Sequence, residues 1–156
     1  MKKVTIYVVC SVDNYYKEGK AIAELVYNGI KKEVEVKDSG YDKESALILR
    51  VLISAFEKLK YPCEVTVKSN NEYLVKGIKY WVASWERNGW KTKAGRPVAN
   101  DFLWQKLLEL LKQHTVMTIL VKDVPDDLQE KVYRYMIEES GRAYNRHMYY
   151  RSKAGR

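Results

Sequence analysis

The spacing of apolar residues changes partway along this chain, and that change restricts the fold more than any single residue does. Residues 2–11 alternate and are rich in Val and Ile, which predicts a β-strand. Residues 12–20, "VDNYYKEGK", predict a turn. Residues 21–29 and 30–38 then predict a hairpin closed by Asn28 and Gly29, the pair a tight two-residue turn favours. Val34 and Val36 alternate with Glu33, Glu35 and Lys37, so one face of that ribbon is solvated. After Asp42, a predicted N-cap, the period becomes helical: Leu47, Ile48, Val51, Leu52, Ala55, Phe56 and Leu59 share one stripe. Tyr61-Pro62 ends that helix.

A fourth strand, "CEVTVKS", comes next at 63–69. Asn70 or Asn71 then caps a helix running through Tyr73, Leu74, Ile78, Trp81, Val82 and Trp85, with Gly89 as its stop. A basic loop spans 91–100, and Asn100 caps a helix with Leu103, Leu107, Leu108 and Leu111 on one face. Residues 114–124 predict a fifth strand. Pro125, Asp126 and Asp127 open a last helix through Leu128, Val132 and Met136. Three strands, helix, strand, two helices, strand and helix make an α/β chain: an antiparallel meander followed by parallel crossovers, with helices on the faces of a five-stranded mixed sheet.

At 156 residues the chain is long enough to bury a core and is most simply one domain. No run of about 18 apolar residues occurs, which excludes a membrane-spanning helix. The opening "MKKVTIYVVCSVDN" is broken by Asp13 too soon for a secretion signal. Cys10 and Cys63 are the only cysteines, and two lone thiols with no CxxC fit a reducing, cytoplasmic compartment. A net charge of +8 and a pI near 9.3 favour a polyanionic partner, because each neutralised phosphate releases a counterion.

The most unusual stretch is "KYWVASWERNGWKTKAGRPVANDFLW". Its Trp81, Trp85, Gly89, Trp90, Lys91, Thr92, Pro97, Val98, Asn100, Leu103 and Trp104 follow a W-x-x-x-W-x-x-x-G-W-K-T spacing, then a basic loop, then x-x-L-W. That pattern resembles the type 1 ribonuclease H family, with weaker agreement back to "KKVTIY" and forward to "LVKDV". The resemblance implies a ribonuclease H-like core over residues 1–124, a basic protrusion at 79–100, and a C-terminal helix and Tyr/Arg-rich tail at 125–156 within the same domain. It also implies that the protrusion grips a nucleic-acid duplex. Trp81 and Trp85 would face the duplex or pack as core. Lys91, Lys93 and Arg96 would contact phosphates, with Arg87 a second choice. Glu86 stands where the family usually has a basic residue. The tail carries five basic side chains and no acid, and its Arg142 and Arg146 among tyrosines suit phosphate contact with stacking.

Family chemistry cuts the RNA of an RNA/DNA hybrid with two Mg²⁺ ions about 4 Å apart, held by converging carboxylates. Set against the family pattern, Val9 takes the first-strand Asp, Ile48 the helix Glu, and Asn70 the fourth-strand Asp. A gapless count places Arg134 at the last Asp and Val124 at the family's His; a shifted one offers Asp126 or Asp127. From these substitutions the sequence predicts a pseudoenzyme with no metal and no cofactor that binds hybrid or duplex without cutting it. The alternatives are a protein-interaction module or homo-oligomer built on the same scaffold, and a ribonuclease H with a rearranged metal site. A Cys/His nucleophilic site from Cys10 with His114 or His147 is disfavoured, since Cys10 sits among valines and reads as a small buried hydrophobe.

Overall fold

The computed structural model describes residues 1–13, 18–38 and 43–134. Five strands form one mixed sheet in the order β3-β2-β1-β4-β5, with β1 Lys2–Asp13, β2 Glu18–Tyr27, β3 Ile30–Asp38, β4 Cys63–Ser69 and β5 Thr115–Leu120. β1, β2 and β3 are antiparallel, while β4 lies parallel to β1 and β5 parallel to β4. The expected meander followed by crossovers is therefore present. Asn28 and Gly29 close the β2–β3 hairpin with φ of 48° and 77°, the doubly positive pair that a tight turn matched to strand twist requires.

The predicted turn over 12–20 is corrected. β1 runs on to Asp13 and β2 begins at Glu18, with Asp13 opposite Glu18. Antiparallel pairing satisfies backbone groups whatever the side chains, so polar residues extend the ladder. The fifth strand is shorter than predicted. β4 ends at Ser69, opposite Leu120, and the Val121 N–H to Ser69 carbonyl bond at 3.0 Å closes the ladder. Beyond it no parallel neighbour remains.

Helices cover both faces of the sheet. α1 (Glu44–Phe56) lies across β1, β2 and β3, and α4 (Asp101–Leu111) packs on α1. Val4, Ile6 and Val8 of β1 join Leu47, Ile48, Leu52 and Phe56 of α1 and Trp104 and Leu107 of α4 in the main core. α5 (Asp126–Arg134) covers the opposite face, where Leu128 and Val132 meet Val9, Ile22 and Val124. The adjacent Val8 and Val9 are both buried because alternating side chains of a central strand enter two cores. Asp42, the predicted cap of α1, and Met136 lie outside the described residues. Lys43 holds the N-cap position without a side-chain bond.

Asn71, not Asn70, caps the next helix: its Oδ1 accepts from the Leu74 N–H at 2.9 Å. That helix is not uniform. α2 (Glu72–Lys76) passes through a π-helical turn, Gly77–Trp81, into α3 (Val82–Arg87). The turn inserts a residue into the ladder and rotates the downstream residues by about 100°. At the end of the turn Tyr80 and Trp81 are exposed, while Val82 just past it is buried. Gly77 is forced by packing: a Cβ there would lie 2.2 Å from Trp104 Cη2.

Candidate nucleic-acid interface and the central positions of the sheet

The basic protrusion is organised by its aromatic base. Trp104 is fully buried, and its indole N–H donates to the Tyr73 hydroxyl at 2.8 Å. Trp85 and Tyr73 each meet Trp104 edge-on with centroids 5.5 Å apart, and Trp81 stacks obliquely on Trp85 at 5.8 Å. Four rings thus run from core to surface, ending in Trp81, which is 37% exposed. Trp85 is half-buried against the core, so packing accounts for most of its surface. Asn100 does not cap α4 with its side chain. It sits in the left-handed region at φ 59°, and its Nδ2 donates to Ser45 Oγ at 3.2 Å and Tyr73 Oη at 3.3 Å. The side chain therefore ties the protrusion's exit to α1, leaving backbone bonds to start the helix.

The loop beyond Trp90 is compact. Lys91 and Pro97 pair as an isolated antiparallel bridge, the Thr92 N–H reaches the Arg96 carbonyl at 2.7 Å, and the Val98 N–H reaches the Trp90 carbonyl at 3.0 Å. Lys91, Lys93 and Arg96 are all exposed on this loop. Glu86, which stands where the family usually has a basic residue, pairs with Lys112, the C-cap of α4, at 2.6 Å. Its charge is therefore largely balanced, and the pair braces α3 against α4. Arg142, Arg146 and His147 fall outside the described residues.

At the family's central positions, Val9 and Ile48 are both fully buried, but in different cores: Val9 of β1 beneath α5, Ile48 of α1 in the main core with α4. Asn70 is exposed just past β4. Ser69 holds this corner, donating to the Val8 carbonyl at 2.8 Å and accepting from the Asn71 N–H at 3.1 Å. Glu44 lies nearby, accepting from Asn71 Nδ2 at 3.3 Å. Val124 is buried, and Arg134 is exposed and ion-paired with Glu130 at 4.0 Å. One carboxylate beside one exposed amide does not make the converging oxygen set that two hard cations need. Positions 9, 48, 70 and 134 therefore do not fit the family's two-ion arrangement.

Burial, and secondarily the negative charge of Glu44, raises the Cys10 thiol, which is the behaviour of a small apolar residue rather than a nucleophile. His114 is committed elsewhere: its Nδ1 accepts from the Cys63 N–H at 3.0 Å, and burial lowers its pKa.

A carboxylate group that pattern reading missed lies on the α5 side. Glu24 of β2, Glu33 of β3 and Asp127 of α5 bring carboxylate oxygens within 4.8 Å of one another. Glu24 and Glu33 are direct cross-strand partners. Counting back from the Asn28-Gly29 turn would have paired them, and like charges so placed repel. Burial raises the Glu24 carboxyl; Asp127 and Glu33 push the same way, while Lys31 and Lys131 oppose. The Lys131 ammonium hydrogen-bonds Glu33, which raises its own pKa.

Comparison with known proteins is decisive for kinship. The RNase H family model matches residues 1–123. A Ribonuclease H of Caldicellulosiruptor saccharolyticus is 35% identical over 147 residues, covering 89% of this chain and 99% of that protein. A Ribonuclease H of Chlorobium phaeobacteroides is 38% identical over 130 residues, covering 81% and 86%. Among solved structures, LC9-RNase H1, a type 1 RNase H with the type 2 active-site motif, superposes with a TM-score of 0.67 at 23% identity, over 84% of this chain and 68% of that one. LC11-RNase H1 in complex with an RNA/DNA hybrid superposes with a TM-score of 0.55 at 12% identity, over 83% and 90%.

These relatives overturn the expectation of an inactive pseudoenzyme. That expectation rested on Val9, Ile48, Asn70 and Arg134 alone. Those substitutions describe what four positions cannot ligate, whereas the kinship to proteins named as the enzyme runs across nearly the whole chain. Oxygen ligands can also be supplied from other strands, so four side chains do not decide activity. The sheet order, the aromatic base of the protrusion and the match over residues 1–123 agree: the chain belongs to the type 1 ribonuclease H family.

Proposed function

We propose that this chain acts on RNA/DNA hybrid duplexes as a ribonuclease H, gripping the duplex with its protrusion and hydrolysing the RNA strand. Kinship carries the hydrolytic part: relatives 35–38% identical over 81–89% of the chain bear that name. Charge and shape support the grip. Lys91, Lys93 and Arg96 project from a loop whose own hydrogen bonds hold it in place, so little ordering entropy is lost when phosphates bind. Trp81 supplies an exposed ring, and Trp85 backs it. Arg142 and Arg146, outside the described residues, add phosphate contacts in this reading. The oxygens that hold the ion in this reading come from groups other than the side chains at positions 9, 48 and 70, which do not suit one. Free Cys10 and Cys63 accord with a reducing compartment, and we place the protein in the cytoplasm.

The test is a hybrid with a labelled RNA strand, incubated with Mg²⁺ or Mn²⁺. The expected result is shortening of the RNA strand, suppressed by chelator. Replacing Lys91, Lys93 and Arg96 by Ala should raise KM and flatten the salt dependence of binding by roughly 0.9 in log–log slope per cation removed. An RNA strand left intact by stoichiometric protein with either ion would overturn the hydrolytic reading. An unchanged salt slope would overturn the assignment of the grip.

A further inference from the structure

We propose that a lysine-rimmed pocket between the β2–β3 hairpin and the segment after α1 binds one small amphipathic acid, an apolar body of one or two rings carrying a single carboxylate. The site is apart from the protrusion and from positions 9, 48 and 70, and it does not depend on whether the chain cleaves hybrids.

The pocket lies at the end of the sheet where β1 and β4 begin. Val4, Leu25 and Cys63 are buried and form its floor, and the half-buried Tyr27 walls it. Lys2, Lys32, Lys58 and Lys60 also line it, all exposed, and they come from β1, β3 and the segment after α1. No carboxylate lines the pocket, and among the described residues Lys32, Lys58 and Lys60 make no ion pair. Lys2 is held at the mouth, with its Nζ 5.1 Å from the centre of the Tyr27 ring. Four like charges around one opening repel, and an anion seated among them relieves that repulsion.

The floor selects the apolar part of the ligand. The pocket encloses about 270 Å³. An apolar cavity of about 150 Å³ holds a benzene ring, so this one admits a fused pair. An apolar hollow with a few charged groups at its mouth is the usual build of a small-ligand site. The hybrid is a poor occupant, because a phosphate backbone has no apolar group to fill the floor. Position argues the same way. Lys2 and Val9 are seven residues apart on β1, about 23 Å at a rise of about 3.3 Å each. The pocket and the family's central positions therefore stand far apart along that strand.

Titrating the isotope-labelled full chain with naphthoate, followed by heteronuclear NMR, tests this. The expected result is one saturable site with shifts centred on the amides of Val4, Leu25, Tyr27 and Cys63. Naphthamide, the same body without the charge, should bind at least tenfold more weakly, and inorganic phosphate alone should not saturate these amides. Replacing Lys58 and Lys60 together by Gln should weaken naphthoate tenfold or more; both side chains are exposed, so the fold is retained. In chelator, a chain already loaded with hybrid should bind naphthoate as well as the free chain does. Absence of a saturable shift, or affinity unchanged in the amide or in the lysine variant, overturns the proposal. Displacement of naphthoate by the hybrid, or tighter binding of a Glu-rich peptide at the same amides, overturns it too by giving the surface to a macromolecule.

Discussion

Substituting Gly77 by Ala should unfold the base of the protrusion before it disturbs anything else. Elsewhere in a helix this change is favourable by about 1 kcal/mol, because glycine loses more backbone entropy on folding. Here the new methyl would lie 2.2 Å from Trp104 Cη2, 2.6 Å from Cζ2 and 3.1 Å from Cζ3. Ordinary carbon contacts are near 3.5–4.0 Å, so the overlap exceeds about 1 Å. The ring has little room to move away. It is fully buried, tethered through its indole N–H to Tyr73, and flanked edge-on by Tyr73 and Trp85. Relief requires α2 and the π-helical turn to shift off α4. Overpacking of this kind costs about 1–3 kcal/mol, occasionally more, and the loss of edge contacts adds to it. We expect a net loss of about 2–3 kcal/mol, a fall in Tm of roughly 4–12 °C for a chain of this size. Scanning calorimetry with near-ultraviolet circular dichroism measures both the melt and the tryptophan environment. Gly89→Ala is the control: φ there is 68° with nothing within 4 Å of the added methyl, so only a strain of about 1 kcal/mol is expected. A Gly77→Ala variant that melts within about 2 °C of wild type, or above it, would refute the packing argument.

Two further outcomes are expected from the packing of α1 and β4. The half-buried His114 accepts a hydrogen bond from Cys63 as a neutral ring, and its folded pKa lies below the unfolded value of about 6.5. Its contribution is therefore present in full above about pH 6.5 and is lost progressively as pH falls toward the lower folded value. Denaturant melts from pH 7 to pH 5 should show that decline, and His114→Gln should flatten it; an equal slope in the variant would sink the idea. Ile48→Glu introduces a carboxylate at a fully buried position among Leu47, Leu52 and Phe56. A loss of about 3 kcal/mol or more is expected in urea titration, and a variant as stable as wild type would show that the α1 core is open to water there.

Legible and illegible features of the chain divide along physical lines. Periodicity is a local property, so the strand–helix order, the Asn28-Gly29 hairpin and the apolar stripe of α1 were legible from spacing alone. The Trp81 to Trp104 pattern was legible as family likeness for the same reason: spaced residues survive as a string. The identities at positions 9, 48 and 70 were legible too, but not their consequence. Activity depends on which oxygens converge in space, and distant strands can supply them. Only the tertiary structure decided that Val9 and Ile48 enter separate cores, and that a π-helical turn rephases the Trp81 helix around Trp104. It alone turned Asn100 toward Ser45 and Tyr73 rather than its own helix, and brought Asp127 to Glu24 and Glu33. Each of these is a contact between segments far apart along the chain, and no local preference carries that information.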